Sequence, residues 1–408
     1  MNSALREEQR DQLRRLSVLI AVGGLDMLGF GMVLPIMPFY ALKLHASPET
    51  IGAIIASFSV VQLLVAPIWG RVSDRYGRRP ALLAGLLGSA AAFAIFGLAN
   101  AVWLLFASRF IQGAGGGTTG VAQAYVADTV APGDRARALG WLSSATAVGL
   151  IIGPVIGSFA AHWGQAAPGL IAAGLCMLNV VFAWKWLPES KPPHKDGDPI
   201  PERRPIWHAT WQVIRHPRGS VPRFIWIYAA GMLGFTAMTS VLALYMGAEF
   251  GLNEKTIGYV FLYVATLSLV MRSLLLGPIV RRIGEPGAMR AGTVLLTLGL
   301  FLYPFAHNLW LLAPIMALVP IGTALLFPAT TALMSHASER SSVGETMGVA
   351  QTFAGLSRVV APLIATSAFQ RFGSAAPFYL AGAIVMLVGA MAFRIDVAPH
   401  ALRQKGAG

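Results

Sequence analysis

The 408-residue sequence is 55% hydrophobic and 12% charged, with a mean hydropathy of +0.63 and a formal net charge of +13. Soluble globular chains carry about 25% charged residues, so composition excludes that class and leaves room for about a dozen spans of roughly 20 residues. The positive charge does not indicate nucleic acid, because the basic residues punctuate apolar runs and form no basic helical face.

The apolar runs predict an all-α membrane protein with twelve transmembrane helices, at 16–42, 49–70, 80–99, 102–127, 136–162, 166–187, 222–248, 255–280, 288–306, 309–334, 343–369 and 375–394. Of the 31 Lys and Arg residues, 25 fall on one side of this arrangement. Three (Lys43, Lys255, Arg371) fall on the other, and Arg109, Arg272 and Arg358 lie inside spans. The asymmetry predicts a multi-pass protein of the inner (plasma) membrane with both termini cytoplasmic. Residues 1–15 are then a cytoplasmic tail leading into a retained first span, and 395–408 a second tail.

The segment 188–221 is the only long polar stretch. It reads as a cytoplasmic linker between an amino-terminal bundle, 16–187, and a carboxyl-terminal bundle, 222–394. Within it Trp207, Trp211 and Ile214 recur at helical spacing, which fits either a short interfacial helix or an irregular loop. The halves repeat: Gly70, Asp74, Arg75 and Gly77 meet Gly277, Arg281, Arg282 and Gly284 at an offset of 207, and Pro154 meets Pro362 at 208. Six-helix halves of the same orientation are parallel repeats related by a pseudo-two-fold axis along the membrane normal, with substrate expected between them.

Polar residues inside the spans are the candidate functional groups. Asp26 lies about ten residues into helix 1, near the bilayer centre. An ionised acid there costs at least ~2.5–3.5 kcal/mol, so it is a proton-coupling candidate, the bland alternative being a permanently bonded structural acid. Arg109, in helix 4, stays charged and serves either as an electrostatic partner of such an acid or as a holder of an anionic group. Below it Gln112, Gly116, Thr119 and Gln123 continue one face if the helix is unbroken. Phe30, Gln62, Gln112, Gln123, Gln351 and Arg358 are the candidate cavity lining. The eight histidines show no ligand spacing, Cys176 is the single cysteine, and there is no nucleotide phosphate loop. No metal or cofactor is expected, and ion gradients remain as the energy source.

Between helices 2 and 3 the run Gly70-Arg71-Val72-Ser73-Asp74-Arg75-Tyr76-Gly77-Arg78-Arg79-Pro80 is too charged to enter hydrocarbon. Its spacing resembles the loop signature of the major facilitator superfamily of transporters. Leu28-Gly29 followed by Pro35-Ile36-x-Pro38 is similar to the helix 1 signature of that family's twelve-span drug:proton antiporters. Arg109-x-x-Gln112-Gly113 resembles its helix 4 signature. In helix 5, Gly149, Gly153, Pro154 and Gly157 match the exporter signature G-x-x-x-G-P-x-x-G, a ridge for close helix packing.

The resemblance is greatest to the tetracycline exporters. It implies that Asp128 joins Asp74 and Arg78 in a conformational latch that includes Gly70, Arg75, Gly77 and Arg79. Ala92 stands where those exporters carry a helix 3 acid, and helix 9 has no acid, so tetracycline does not carry over as substrate. The function implied is proton-coupled export of small, largely apolar compounds, as in multidrug efflux and antibiotic resistance, by alternating access rather than by an enzyme. The expected partners are a small-molecule substrate, protons and the bilayer, with no nucleic acid and a monomeric working unit. Two rivals stay open: a symporter or uniporter importing an anionic metabolite through Arg109 and Arg358, and a non-transporting membrane sensor or assembly factor.

Overall fold

The computed structural model describes residues 3–190, 207–217, 219–339 and 342–394, and every regular element among them is helical. That follows from the composition, since a chain in hydrocarbon must satisfy its peptide groups within each segment. The helices are α1 Ser3–Val33, α2 Met37–Lys43, α3 Pro48–Tyr76, α4 Arg78–Gly97, α5 Val102–Gly115, α6 Thr118–Thr129, α7 Arg135–Ala160 and α8 Ala167–Trp186. They continue as α9 Trp207–Arg215, α10 Ser220–Phe250, α11 Ile257–Val270, α12 Leu276–Leu302, α13 Leu309–Ala337, α14 Val343–Phe372 and α15 Ala376–Gly389. The middle of the linker (191–206) and the carboxyl segment 395–408 lie outside the described residues, as do residues 1 and 2.

Among the described residues, ten helical runs are long and apolar enough to cross a bilayer. One of them, Ile257–Phe305, is 49 residues long and turns at Gly284, whose φ of 72° only glycine adopts readily. It therefore supplies two crossings, and α5 with α6 supplies one more, which brings the count to the twelve expected.

Helix 1 bends where its prolines stand: α1 ends at Val33, Ile36 N–H bonds back to Val33 O at 3.2 Å, and α2 resumes at Met37. Helix 4, expected to be continuous over 102–127, is instead broken at Gly116 and Gly117. Gly116 N–H turns to the Gly113 carbonyl at 3.2 Å, and the Trp69 indole fills the space beside Gly117. Successive glycines offer no side chains to hold the helix, and close approach of Gln62 and Trp69 uses that room. The polar stripe expected below Arg109 therefore does not run on one helical face: Gln112 is buried, whereas Thr119 and Gln123 are exposed. In the linker α9 is a helix, with Trp211 and Ile214 both exposed and Arg215 stacked 5.1 Å over the Trp211 ring.

The chain forms two compact units. The first comprises Met1–Glu202, Ser240–Thr266 and Pro362–Ser374, and the second comprises Arg203–Thr239, Leu267–Ala361 and Ala375–Gly408. In the first, one apolar cluster joins Met32, Ile36, Phe93, Phe96, Leu105 and Cys176, and another joins Leu19, Leu86, Tyr125 and Leu142. In the second, Met271, Ala324 and Leu325 form a core beside α12. α3 starts on a Ser47 cap whose Oγ accepts from Thr50 N–H at 3.2 Å, with Pro48 following and Glu49 in the first turn, all favourable at a helix start.

Candidate functional site

The charged loop between α3 and α4 closes on Arg78. Its Nη1 lies 2.8 Å from Asp74 Oδ1 and donates to Ser73 Oγ at 2.6 Å, while Nε donates to Asp128 Oδ2 at 2.9 Å. The guanidinium is buried, and both carboxylates are partly exposed. A planar fork with several donors can serve two acids at once where an ammonium cannot. The expected grouping of Asp74, Arg78 and Asp128 is thus present in the structure. Gly70 contributes its carbonyl, which accepts from Ser73 Oγ at 3.0 Å. Arg75 is exposed and lies 5.5 Å over the Tyr76 ring.

A residue that sequence reasoning missed completes this cluster. The Glu189 carboxylate accepts from the backbone N–H of Arg78 at 2.9 Å and of Arg79 at 3.1 Å, satisfying two free donors at the start of α4. Ser190 N–H donates to the same carboxylate at 2.9 Å, and the Arg79 side chain donates to the Trp184 carbonyl. Gly77 makes this possible in two ways: its φ is 104°, and a β-carbon there would stand 2.5 Å from Glu189 Oε2. The signal available in the sequence was an acid directly after the sixth span, on the side crowded with arginines.

Asp26, in the Arg15–Lys43 span, faces Ser89 of α4 and makes no ion pair among the described residues. One turn along, Asn179 of α8 donates to the Val22 carbonyl at 2.9 Å and fixes that helix against α1. Ala92 is fully buried, one turn from Ser89.

The ridge of α7 packs on the same helix as Asp26. A β-carbon on Gly149 would meet the Gly24 carbonyl and lie 2.8 Å from Leu28 N. On Gly153 it would lie 2.6 Å from Leu28 O, and on Gly157 2.9 Å from Met32 Cα. Backbone therefore meets backbone along three turns, and any side chain would separate the helices. The Pro154 ring also lies against Gly31, next to Gly153.

Arg109 is almost wholly buried. Its Nη1 donates to Gln112 Oε1 at 2.5 Å, Nε points to Met37 Sδ at 2.9 Å, and Nη2 has no hydrogen-bond partner. Beside it in the same unit, Gln62 Nε2 donates to the Gly116 carbonyl at 3.2 Å, and Phe30 packs on Phe58 with ring centroids 5.5 Å apart. Gln123 is exposed on α6. Gln351 and Arg358 belong to the second unit, where Gln351 is exposed and Arg358 Nε is buried without a hydrogen-bond partner.

At the opposite end of the first unit from Arg78, ionic contacts join segments distant in sequence. Lys43 Nζ donates to Glu254 at 2.5 Å, and Arg371 Nε donates to Glu49 Oε1 at 2.8 Å. Ser367 Oγ also donates to Glu49, at 2.7 Å, and Glu49 N–H donates to Gln370 Oε1 at 3.0 Å. Burial pushes the Glu254 carboxyl up, but the Lys43 ammonium, a backbone N–H and the charge of Lys255 together hold the group below the ordinary carboxylate range. Among the described residues no group of His, Cys, Asp and Glu is placed to hold a metal.

The model of the Major Facilitator Superfamily matches residues 19–290 and 227–408. The tetracycline resistance protein, class C, of Escherichia coli is 32% identical, with 88% of this chain and 90% of that protein covered. Multidrug resistance protein 2 of Bacillus subtilis (strain 168) is 28% identical, covering 89% of this chain and 90% of the relative. The crystal structure of the human organic anion transporter MFSD10 (TETRAN) superposes with a TM-score of 0.67 at 22% identity, over 93% of this chain and 99% of that one.

Proposed function

Because the chain belongs to the Major Facilitator Superfamily, we propose that it is a proton-coupled exporter of small, largely apolar compounds, a drug or multidrug efflux protein working by alternating access. The relatives named for tetracycline and multidrug resistance support the efflux reading. The observation that carries the coupling is Asp26: an acid well inside a membrane-spanning helix, facing the Ser89 side chain and joined to no cation among the described residues. Such a group gains or loses a proton without breaking an ion pair, and intramembrane acids are costly enough to be retained for a task.

In this account bundles 16–187 and 222–394 rock about a central site, with both termini in the cytoplasm of the inner membrane and a single chain as the working unit. Asp26 takes a proton from outside as substrate leaves and releases it inward as the next substrate binds, and Arg109 shapes the field around it. Phe30, Gln62, Gln112, Gln123, Gln351 and Arg358 line the substrate path. Gly70, Asp74, Arg75, Gly77, Arg78, Arg79 and Asp128 latch one end state, and Gly149, Gly153, Pro154 and Gly157 keep the empty protein tight.

The membrane potential contributes about 2.3 kcal/mol per charge for each 100 mV. The importer reading draws its support from the unpartnered Nη2 of Arg109, which suits an anionic group. An efflux-deficient bacterial strain expressing the chain, challenged with a compound panel, separates the two. Export predicts raised resistance to apolar compounds that falls when a protonophore collapses the gradient. Import predicts no resistance and accumulation of an anionic metabolite.

A further inference from the structure

The repeat of the sequence returns in space as two contacts of the same design, both within the first unit. Gly258, in the first turn of α11, lies against Pro154 and Ser158 of α7. A β-carbon there would collide with the Pro154 carbonyl oxygen and stand 2.6 Å from Ser158 Oγ. Gly52, in the second turn of α3, lies against Pro362 and Thr366 of α14. A β-carbon there would collide with Thr366 Oγ1 and stand 2.8 Å from the Pro362 carbonyl oxygen.

The correspondence is residue for residue. Gly258 is 206 positions after Gly52, while Pro362 and Thr366 are each 208 positions after Pro154 and Ser158. In both places a proline on the long helix lacks an amide N–H, and a hydroxyl stands four residues on. Thr366 Oγ1 donates to the Pro362 carbonyl at 2.8 Å, and Ser158 Oγ accepts the N–H of Gly258 at 2.9 Å. That N–H belongs to a first helical turn and has no intrahelical acceptor, so the serine satisfies a donor otherwise left bare.

We propose that Gly52 and Gly258 are the paired bearing points that seal this end of the protein, each seated on a proline–hydroxyl step of the facing helix. The ion pair Glu49–Arg371 ties α3 to α14 beside Gly52, and Lys43–Glu254 ties α2 to the segment just before α11, four residues from Gly258. Exposed ion pairs contribute little; backbone contact at a glycine excludes water and leaves no volume for a leak. Gly52, Gly258, Ser158 and Thr366 are thus positioning residues for transport. The proposal rests on the alternating-access reading, in which this end opens once per cycle.

The test is distance measurement between nitroxide labels at Leu42→Cys with Lys255→Cys, and at His45→Cys with Phe372→Cys, in the full chain without substrate. Cys176 is fully buried and stays unlabelled. Gly258→Ala should shift the first pair to a longer-distance population and Gly52→Ala the second. Gly174→Ala, where a methyl meets open space, should shift neither. Removing the obstructing hydroxyl, as in Gly52→Ala with Thr366→Ala, should return the second pair toward its short distance. If Gly52→Ala alone fails to insert, insertion and the short distance recovered in that double variant support the seal.

Unchanged distances in both alanine variants, or an equal shift in the Gly174→Ala control, overturn it. These distances are read without transport, so they answer even if proton coupling or the compound class proposed above is wrong. A proton leak into reconstituted vesicles that appears with Gly52→Ala or Gly258→Ala, and not with Asp26→Asn, separates a broken seal from broken coupling.

Discussion

The α-carbon of Gly77 faces the Glu189 carboxylate so closely that a β-carbon would stand 2.5 Å from Oε2. Two requirements meet at this glycine, a φ of 104° and room for an acid that caps α4. Gly77→Ala should therefore cost about 1–3 kcal/mol from the backbone conformation alone, and displace the cap as well. Glu189→Gln keeps the shape but halves the acceptor capacity, and should cost on the order of 0.5–2 kcal/mol, the range for a lost cap. Thermal unfolding in detergent reads both. Equal stability of Gly77→Ala and the parent would show that α4 starts without this arrangement.

Arg78 serves Asp74 and Asp128 together, so the two acids should not be independent. Asp74→Asn and Asp128→Asn should each weaken the latch, and the double variant should cost less than their sum, because a single guanidinium is shared. Arg78→Lys keeps the charge but not the fork, and should behave like the loss of one partner. Transport rates and label distances at that end provide the measurement; strict additivity would mean that the two contacts act separately.

The sequence made the spans legible, because hydrocarbon demands long apolar runs and charges mark the loops between them. The grouping of Asp74, Arg78 and Asp128 came only from the resemblance to the tetracycline exporters; charge and spacing alone mark the loop but do not bring Asp128 to it. The break at Gly116–Gly117 was hidden. Hydropathy reads straight through it, and only the packing of Gln62 and Trp69 shows why the helix parts there. Glu189 was missed because its partners are backbone amides that carry no side-chain pattern, and only its place after the sixth span marked it. Lys43 was read only as one of three cations on the sparse side, and its pairing with Glu254 was hidden because the two are more than 200 residues apart.

That pair gives a pH dependence with a definite sign. The folded pKa of Glu254 is lowered by Lys43, so its contribution is complete above the unfolded carboxylate value of about 4.3. It is lost as pH falls through the folded value. Labels at Leu42→Cys and Lys255→Cys should therefore hold a short distance near neutrality, with only a minor longer-distance population appearing in acid below the ordinary carboxylate range, because the glycine contacts carry most of the closure. Glu254→Gln should abolish this acid step. A loosening on raising the pH instead would contradict the assignment.

On α7, Gly153 has Leu28 O at 2.6 Å from where a β-carbon would stand, with the Gly31 backbone beside it. Gly153→Leu cannot fit without driving α7 from α1, and overpacking of this kind costs about 1–3 kcal/mol or more. The expected result is a protein that leaks protons or is frozen, while every charged residue is unchanged. Proton flux in reconstituted vesicles, with and without substrate, decides it. Normal, tightly coupled transport by Gly153→Leu would remove the ridge from the mechanism.

The central claim is that Asp26 carries the proton that drives export. Its most direct measurement is substrate accumulation in inside-out vesicles under an imposed proton gradient, comparing the parent with Asp26→Asn. The amide is nearly isosteric with the acid and can still bond to Ser89, so folding and insertion should survive. The account predicts that the parent concentrates substrate and acidifies less in its presence, whereas Asp26→Asn only equilibrates it and leaves the proton gradient untouched. Uphill accumulation by Asp26→Asn at the parental rate would contradict the claim and place the coupling proton on another group.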